Sequence, residues 1–309
     1  MRIALFGQAP LAADVLDRLL ADGHDLVAVY APPDTGRPDA LAERAEAVGV
    51  RLIRRRYFQK KSGEPIPAAI DEYRELNVEL NVLASMTSFL PGAITDAPPH
   101  KSVCFHPSLL PRFRGGNAMQ WQIILGERES GVTVFVPDEG VDTGPVVVQK
   151  GGVTIENTDT TGSLFFKKLY PLGVDAVVDA VALIANGSAP FAAQDESLAT
   201  HQGLVDQALA AVRLDRGVEA ISRVVRGCDP QPGAYITVRG EKVRLYDASV
   251  VEGDGDPGTI VSLDASGVGI AMAGGILLCG RVRGDAGKEP AQEWAARVGI
   301  SVGEVVADG

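Results

Sequence analysis

One histidine and one aspartate stand in short motifs suited to proton-transfer chemistry. His106 follows a strand-like apolar run and precedes Pro107, while Asp142 lies in a turn bounded by Gly140 and Gly144. An imidazole suits proton transfer near neutral pH, and a carboxylate beside it would orient the ring and stabilise its charged form. Because a proline biases the preceding residue to extended backbone, we expect His106 at the end of a strand. The two motifs therefore predict a catalytic imidazole with a carboxylate partner from the turn 138–144.

The residues that follow His106 offer further binding candidates. Ser108 does not lie in a nucleophile elbow, so its hydroxyl is expected to donate to a ligand or to the backbone. An apolar wall for a flat heterocycle is predicted from Leu109, Leu110 and Pro111, and contacts to carboxylates or to an acceptor are predicted from Arg112 and Arg114.

The two motifs resemble the signatures of formyltransferases that use 10-formyltetrahydrofolate. The first is His-Pro-Ser-Leu-Leu-Pro-x-x-Arg-Gly from His106, and the second is Asp-x-Gly-x-Asp-Thr-Gly from Asp138. The resemblance runs from Met1 to a small domain that contains Gln231-Pro232-Gly233. It is strongest to the amino-terminal hydrolase domains of 10-formyltetrahydrofolate dehydrogenases, and methionyl-tRNA formyltransferases are related.

The resemblance implies roles for particular residues. It assigns catalysis to His106 and Asp142. It assigns folate binding to the loop after Ala84, with Met86, Thr87, Ser88, Phe89 and Leu90, and to Ser108, Leu109, Leu110, Pro111, Asp138, Gly140 and Val141. From the residues alone, Asp138 fits a pure turn role. The formyl donor already carries an activated amide carbon, so neither a metal nor NAD is expected.

Cys104 departs from the transferase pattern. Formyltransferases that act on tRNA, glycinamide ribonucleotide or amino sugars have an asparagine two residues before the histidine, where it helps hold an oxyanion. A thiol cannot donate a strong hydrogen bond. The hydrolase domains of the dehydrogenases also lack an amide there. Cys104 is conceivable as a nucleophile, but its strand-like surroundings favour a buried packing thiol.

Strand-like and helix-like segments alternate through the first half of the chain. Strands are predicted at 2–6, 25–30, 50–53 and 78–84, and helices at 11–20, 40–48 and 68–76. This alternation predicts an α/β fold with a Rossmann-like, parallel-rich sheet and helices on both faces. Ligands bind at the carboxyl ends of such strands, so we expect the loops after Ala84, Phe105 and Val136 there. The first turn, Gly7–Pro10, lacks the glycines of a dinucleotide site.

The second half of the chain predicts a smaller β domain. A helical stretch at 160–185 closes a catalytic domain at 1–186, and a linker is expected at 187–205. After a helix at 216–226, five short strands are predicted at 234–238, 242–246, 258–263, 267–271 and 276–282. We therefore expect an OB-like open barrel within residues 206–309.

Composition limits the partners. The 309 residues are 46% hydrophobic and carry a net charge of −11, which opposes tRNA binding. One basic cluster, residues 51–61, remains open to three interpretations: a solvated edge, a dock for an anionic ligand such as a folate's glutamate tail, or a nucleic-acid contact.

Three cysteines far apart in sequence favour a reducing, cytoplasmic setting, and no stretch is apolar enough for a membrane span.

The sequence therefore predicts an enzyme that removes the formyl group of 10-formyltetrahydrofolate. Water is the expected acceptor, which gives tetrahydrofolate and formate, but a small amine is also open. The alternatives are a methionyl-tRNA formyltransferase, a sugar-amine N-formyltransferase, and a folate-binding module that works with a carrier and a dehydrogenase.

Overall fold

The computed structural model describes residues 1–86 and 89–309, which divide into two compact units. The first contains Met1–Arg114, Gly131–Gly152 and Leu169–His201, and the second contains Gly115–Ser130, Val153–Lys168 and Gln202–Gly309. Each unit thus takes up more than one stretch of the chain. The domain boundaries predicted at 186 and 206 stay a prediction.

Helices form where apolar residues recur along one face of the chain. Their bounds are α1 Leu11–Ala21, α2 Ala40–Ala47, α3 Pro67–Arg74, α4 Gly92–Thr95, α5 Ala118–Leu125, α6 Thr161–Leu164, α7 Tyr170–Ala185, α8 Val218–Gly227 and α9 Ala291–Val298. Helices α1 to α4 and α7 lie in the first unit, and the others lie in the second.

A seven-stranded sheet forms the centre of the first unit. Its strands are β1 Arg2–Gly7, β2 Asp25–Ala31, β3 Leu52–Arg54, β4 Leu80–Ala84, β5 Ser102–His106, β6 Glu129–Phe135 and β7 Val146–Thr154. The strand order is β3-β2-β1-β4-β5-β6-β7. Strands β1 to β5 are parallel, whereas β6 is antiparallel to β5. The sheet is therefore parallel-rich, as predicted.

Both faces of this sheet are covered. Ala4 and Phe6 of β1 belong to a buried cluster with residues of α3 and α4, and the Phe6 ring stacks on Tyr30 at 4.4 Å. Side chains alternate along a strand, so Ile3 and Leu5, which are also fully buried, point to the other face. On β5, Phe105 packs against Gly173 of α7, where a Cβ atom would overlap the ring.

The second unit contains a separate antiparallel sheet. Its strands are β8 Tyr235–Val238, β9 Glu241–Val251, β10 Ile260–Asp264, β11 Gly267–Met272, β12 Gly275–Gly284 and β13 Gly287–Pro290. The strand order is β10-β11-β12-β9-β8, and β13 pairs with β12. Apolar residues of these strands form one core with α8 and α9. This is the OB-like architecture that was expected.

Three details of the sequence prediction are wrong. The predicted five strands are six, because β13 is polar and carries no apolar alternation. The helix at 160–185 is interrupted by a π-helical turn at Phe165–Leu169, a local feature that apolar periodicity does not report. Strand β9 continues past Tyr246 through Asp247, whose φ of 54° gives the strand an irregular residue in its middle.

Candidate active site

The His106 ring lies at the carboxyl end of β5 and is buried, with 6% of the residue exposed. Its Nε2 atom is 2.8 Å from the main-chain oxygen of Phe113. A carbonyl oxygen only accepts hydrogen bonds, so Nε2 carries the proton of the neutral ring. Nδ1 is therefore the nitrogen that gains or loses a proton.

The structure brings Asp142 to this nitrogen. Nδ1 of His106 is 3.4 Å from Oδ2 of Asp142. Asp142 has a φ of 56°, in the left-handed region that few non-glycine residues adopt. Two residues predicted from separate motifs thus meet in space, with the carboxylate facing the titrating nitrogen of the ring.

The route by which Asp142 arrives differs from the prediction. The loops after Ala84 and after β5 lie at the carboxyl ends of parallel strands, as expected. The expectation that the loop after Val136 follows the carboxyl end of a parallel strand is wrong, because β6 runs antiparallel to β5 and its last residue, Phe135, pairs with Cys104 in the middle of β5. Asp142 still reaches His106 from the loop 138–145.

Burial controls the protonation of His106. Desolvation lowers the pKa of His106 below the ordinary value of 6.5, while the Asp142 charge and the hydrogen bond to Phe113 oppose this shift. At neutral pH the ring is therefore neutral at rest and able to accept a proton on Nδ1. This protonation state suits a general base.

The loop 138–145 is shaped by its own side chains. Oδ1 of Asp138 accepts hydrogen bonds from the Gly140 amide at 3.0 Å and from the Thr143 hydroxyl at 2.5 Å. Asp138 therefore has the turn role that its sequence context predicts. Val141 is 41% exposed at the tip of this loop, where its side chain is accessible to a ligand.

Ser108 and its neighbours are used mainly within the protein. The Ser108 hydroxyl donates to the Arg112 carbonyl at 2.7 Å, which is the backbone contact that was expected. Leu110 and Pro111 are buried, and only Leu109 is partly exposed. The predicted apolar wall therefore presents accessible surface mainly through Leu109.

The two arginines of this motif differ. Arg112 is exposed, and its guanidinium lies over the Phe113 ring at 5.2 Å. Arg114 is buried and forms two hydrogen bonds to the Glu196 carboxylate, at 2.9 and 2.6 Å. The carboxylate that Arg114 contacts thus belongs to the protein itself, and a contact between Arg112 and an acceptor stays a prediction.

The predicted pterin loop is described in part. Met86 and Leu90 are half-buried and Phe89 is 72% exposed, whereas Thr87 and Ser88 lie outside the described residues. Met86 and Leu90 pack against the same cluster as Phe6. The exposed Phe89 ring gives this loop an apolar surface beside the carboxyl end of β4.

Cys104 shares a face of β5 with His106, because residues two apart in a strand point the same way. Cys104 is half-buried and packs against the cluster that contains Phe6, as expected of a packing thiol. Burial, and the charge of Asp142, raise the pKa of the Cys104 thiol. A thiol with a raised pKa is a poor nucleophile at neutral pH.

A cavity of about 510 Å³ lies at the ends of β1 and β2. Its lining includes Gly7, Tyr30, Pro32, Arg55, Phe58 and Met86. Neither the Tyr30 hydroxyl nor Nε of Arg55 has a hydrogen-bond partner within the described part of the chain. The cavity falls within the volume range of small-molecule sites, and sequence reasoning did not anticipate it.

Four of the six basic residues in the cluster at 51–61 form ion pairs with carboxylates of the chain. Arg51 and Arg55 contact Glu72 at 3.1 and 2.6 Å, Arg54 contacts Asp39 at 3.1 Å, and Lys60 contacts Glu64 at 2.8 Å. Pairing of this kind favours the solvated edge among the three interpretations, although Arg55 also lines the cavity.

Sequence reasoning missed two groups that contact the pair. They are the Phe113 carbonyl, which fixes the His106 ring, and Gln194, whose side-chain amide donates to the main chain of the Asp142 loop at 2.9 and 2.7 Å. A backbone carbonyl has no sequence signal. Gln194 lies in a stretch without periodicity, far along the chain from its partners.

The parallel-rich α/β unit that contains His106 and Asp142 and the OB-like unit each match a known protein family. Residues 1–181 match the formyl transferase family, and residues 205–298 match the formyl transferase C-terminal domain. The chain belongs to the formyl transferase family.

Similar proteins within this family have different activities. The mitochondrial 10-formyltetrahydrofolate dehydrogenase of Homo sapiens is 36% identical over 282 residues, which are 91% of this chain and 30% of that protein. The chain thus spans about a third of the curated dehydrogenases it matches. The methionyl-tRNA formyltransferase of Geotalea daltonii is 28% identical over 307 residues, which are 98% of this chain and 97% of that protein.

A solved structure shares the fold over the whole chain. HypX from Aquifex aeolicus in complex with tetrahydrofolic acid superposes with a TM-score of 0.71 at 20% identity, covering 98% of this chain and 48% of that one.

No helix within residues 1–86 and 89–309 is long and apolar enough to cross a membrane. In the same residues, no group of three or more His, Cys, Asp and Glu side chains is arranged to hold a metal ion.

Proposed function

We propose that the protein hydrolyses 10-formyltetrahydrofolate to tetrahydrofolate and formate. The observation that carries this proposal is the contact between Nδ1 of His106 and Oδ2 of Asp142. It supplies a proton acceptor beside a carboxylate, in the family whose members transfer or release the folate formyl group. The substrate supplies the reactive carbon, so the proposal needs no metal and no NAD.

The pair would act first as a base. As water adds to the formyl carbon, one of its protons passes to the pair and comes to rest on Nδ1 of His106, leaving an imidazolium beside the Asp142 carboxylate. The carbonyl π bond becomes an oxyanion on a tetrahedral carbon. The imidazolium is the positive charge that the pair itself offers to this oxyanion.

The pair would then act as an acid. When the tetrahedral intermediate collapses, the bond from carbon to N10 of the folate breaks, and the proton on the pair passes to that nitrogen. Formic acid then loses its proton to solvent. The products are tetrahydrofolate and formate, and His106 returns to its neutral form, so protons balance over the cycle.

Cys104 favours water as the acceptor. The transferase members that act on amines carry an asparagine at this position, whose amide would support the oxyanion. The Cys104 thiol offers only a weak donor, so the site depends more heavily on His106. We therefore expect slow turnover, with hydrolysis favoured over transfer to a small amine.

The folate is proposed to lie against the loop after β4, the segment 108–111 and the loop 138–145. Phe89, Leu109 and Val141 have accessible apolar surface there for the ring system. Met86 belongs to the predicted pterin loop and also lines the 510 Å³ cavity, which supports placing part of the folate in that cavity.

Methionyl-tRNA formylation is the second candidate. The formyltransferase of Geotalea daltonii matches this chain over nearly the full length of both proteins. Cys104 and the net charge of −11 oppose it. A sugar-amine N-formyltransferase, or a folate-binding module that feeds a carrier and a dehydrogenase, ranks lower.

We also propose a cytoplasmic location. All three cysteines, Cys104, Cys228 and Cys279, are free thiols, which fits a reducing compartment.

The decisive experiment is to incubate the protein with 10-formyltetrahydrofolate alone and to measure tetrahydrofolate and formate. Equal amounts of the two products, released in catalytic turnover and abolished in a His106→Ala variant, would support hydrolysis. Turnover that appears only when methionyl-tRNA or an amine is added would overturn it in favour of a transferase.

A further inference from the structure

We propose that Gln194 is a positioning residue, which holds the loop 138–145 so that Asp142 stays beside His106. The inference rests on the proposed role of the pair and adds a residue from the segment 192–201. That segment had been predicted, from its composition, to be part of a linker.

The side-chain amide of Gln194 is hydrogen-bonded on both sides. Its Nε2 donates to the main-chain oxygen of Asp142 at 2.9 Å and to that of Gly144 at 2.7 Å. Its Oε1 accepts from Nε and Nη2 of Arg114, at 3.2 and 2.8 Å. Because a guanidinium only donates and a carbonyl only accepts, this orientation of the amide is the one that satisfies all four contacts.

Arg114 makes Gln194 a rigid support. Arg114 is 7% exposed, and its guanidinium is fixed by two hydrogen bonds to Glu196. Its main-chain amide donates to the Thr200 carbonyl at 2.9 Å. Gln194 therefore lies between a fixed guanidinium and the loop, and cannot move without breaking several hydrogen bonds.

The same segment also supports His106. The amide of Phe113 donates to the Thr200 hydroxyl at 2.8 Å, and the carbonyl of Phe113 accepts from His106. At its other end, Ala192 forms two main-chain hydrogen bonds with Val146, at 2.7 and 2.8 Å. Segment 192–201 thus contacts the supports of both members of the pair.

Asp142 needs such support because its backbone is unfavourable. A φ of 56° costs a non-glycine residue free energy and persists only where the surroundings fix it. Both carbonyl oxygens that Gln194 holds lie in this turn, on either side of Thr143. Without the two donated hydrogen bonds, the turn could relax and withdraw the carboxylate from Nδ1.

The test combines kinetics with a readout of the loop itself. Gln194→Met removes all four hydrogen bonds at similar volume, whereas Gln194→Glu keeps the contact to Arg114 and loses both donations to the loop. Ser197→Ala is the matched control, because the Ser197 hydroxyl donates to Asp195 within the same segment and contacts neither the loop nor Arg114. Amide hydrogen exchange of residues 140–144 reports on the loop without any substrate.

We expect both Gln194 variants to lower kcat for formate release roughly tenfold, and Ser197→Ala to leave it within about twofold. In an Asp142→Asn background, Gln194→Met should cause little further loss, because its effect passes through Asp142. A merely structural role would lower kcat in both backgrounds alike, and this result would overturn the proposal.

Hydrogen exchange separates this inference from the proposed function. Exchange at 140–144 should be faster in both Gln194 variants than in the wild type and in Ser197→Ala. Unchanged exchange would overturn the positioning role, whether or not the enzyme hydrolyses its substrate. Faster exchange in a protein that releases no formate would overturn the proposed function alone.

Discussion

At the scale of single residues, the contact between His106 and Asp142 predicts how their variants behave. His106→Ala removes the base, and Asp142→Asn removes the charge while keeping a side chain that tolerates positive φ. Each should lower kcat for formate release by about 10²–10⁴. The double variant should be little worse than either single, because the two residues serve one proton transfer.

Circular dichroism and thermal unfolding provide the control for this double-mutant comparison, since the two single variants and the double variant should all remain folded. Losses that multiply in the double variant would show that the two side chains act in separate steps.

The buried imidazole also predicts a pH dependence of stability. Burial lowers the pKa of His106 in the folded protein below the 6.5 of the unfolded chain. At pH values between these two pKa values, the unfolded state binds a proton more readily than the folded state. The contribution of neutral His106 to the free energy of unfolding is therefore fully present above pH 6.5 and is lost as pH falls through the folded pKa. The free energy of unfolding should therefore decrease more between pH 7.5 and 5.5 in the wild type than in His106→Gln. Urea unfolding at both pH values measures the difference, and equal decreases would contradict it.

Cys104 predicts how acceptor choice is controlled. An asparagine there would present an amide donor on the face of β5 that carries His106, and the loss of one such donor costs about 10²–10³ in rate in other enzymes. Cys104→Asn should therefore raise formyl transfer to simple amines, measured as formylated product. Cys104→Ser, a smaller change at the same half-buried position, is the control. Rapid formyl transfer to simple amines by the wild type would show that the Cys104 thiol does not limit transfer.

At the scale of elements, the loop 138–145 depends on a glycine at its end. A Cβ atom on Gly144 would overlap the main-chain oxygen of Val136. Gly144→Ala should displace the loop, lower the stability by about 1–3 kcal/mol and reduce kcat more than KM. At Gly203 a Cβ would meet nothing within 4 Å, so Gly203→Ala is the control. Wild-type kinetics in Gly144→Ala would mean that the loop position is unimportant.

The elements also show what the sequence could predict. Apolar runs and Pro107 placed His106 at the end of β5, and a family motif selected Asp142. The direction of β6 could not be predicted, because an apolar run has the same sequence pattern in parallel and antiparallel strands. Gln194 was hidden as well, since its hydrogen bonds join residues distant in sequence and its own stretch has no periodicity.

At the scale of the whole molecule, most basic residues of the cluster at 51–61 already form ion pairs. Arg51, Arg54, Arg55 and Lys60 contact carboxylates of the chain itself. The net charge of −11 adds a repulsive field for any polyanion. Charge therefore favours a small folate substrate over a nucleic acid.

This charge distribution predicts weak binding to tRNA. Affinity for a polyanion grows with the number of phosphates that lysine and arginine neutralise, and four of the six basic residues in the cluster at 51–61 already form ion pairs within the chain. We expect binding of initiator methionyl-tRNA to be detectable only at low salt and absent near 150 mM, with no preference over elongator tRNA. Fluorescence anisotropy across a salt series measures both points. A bovine-serum-albumin sample of comparable acidity controls for non-specific signal. Tight binding that prefers initiator tRNA at physiological salt would reverse the ranking and make methionyl-tRNA formylation the function to pursue.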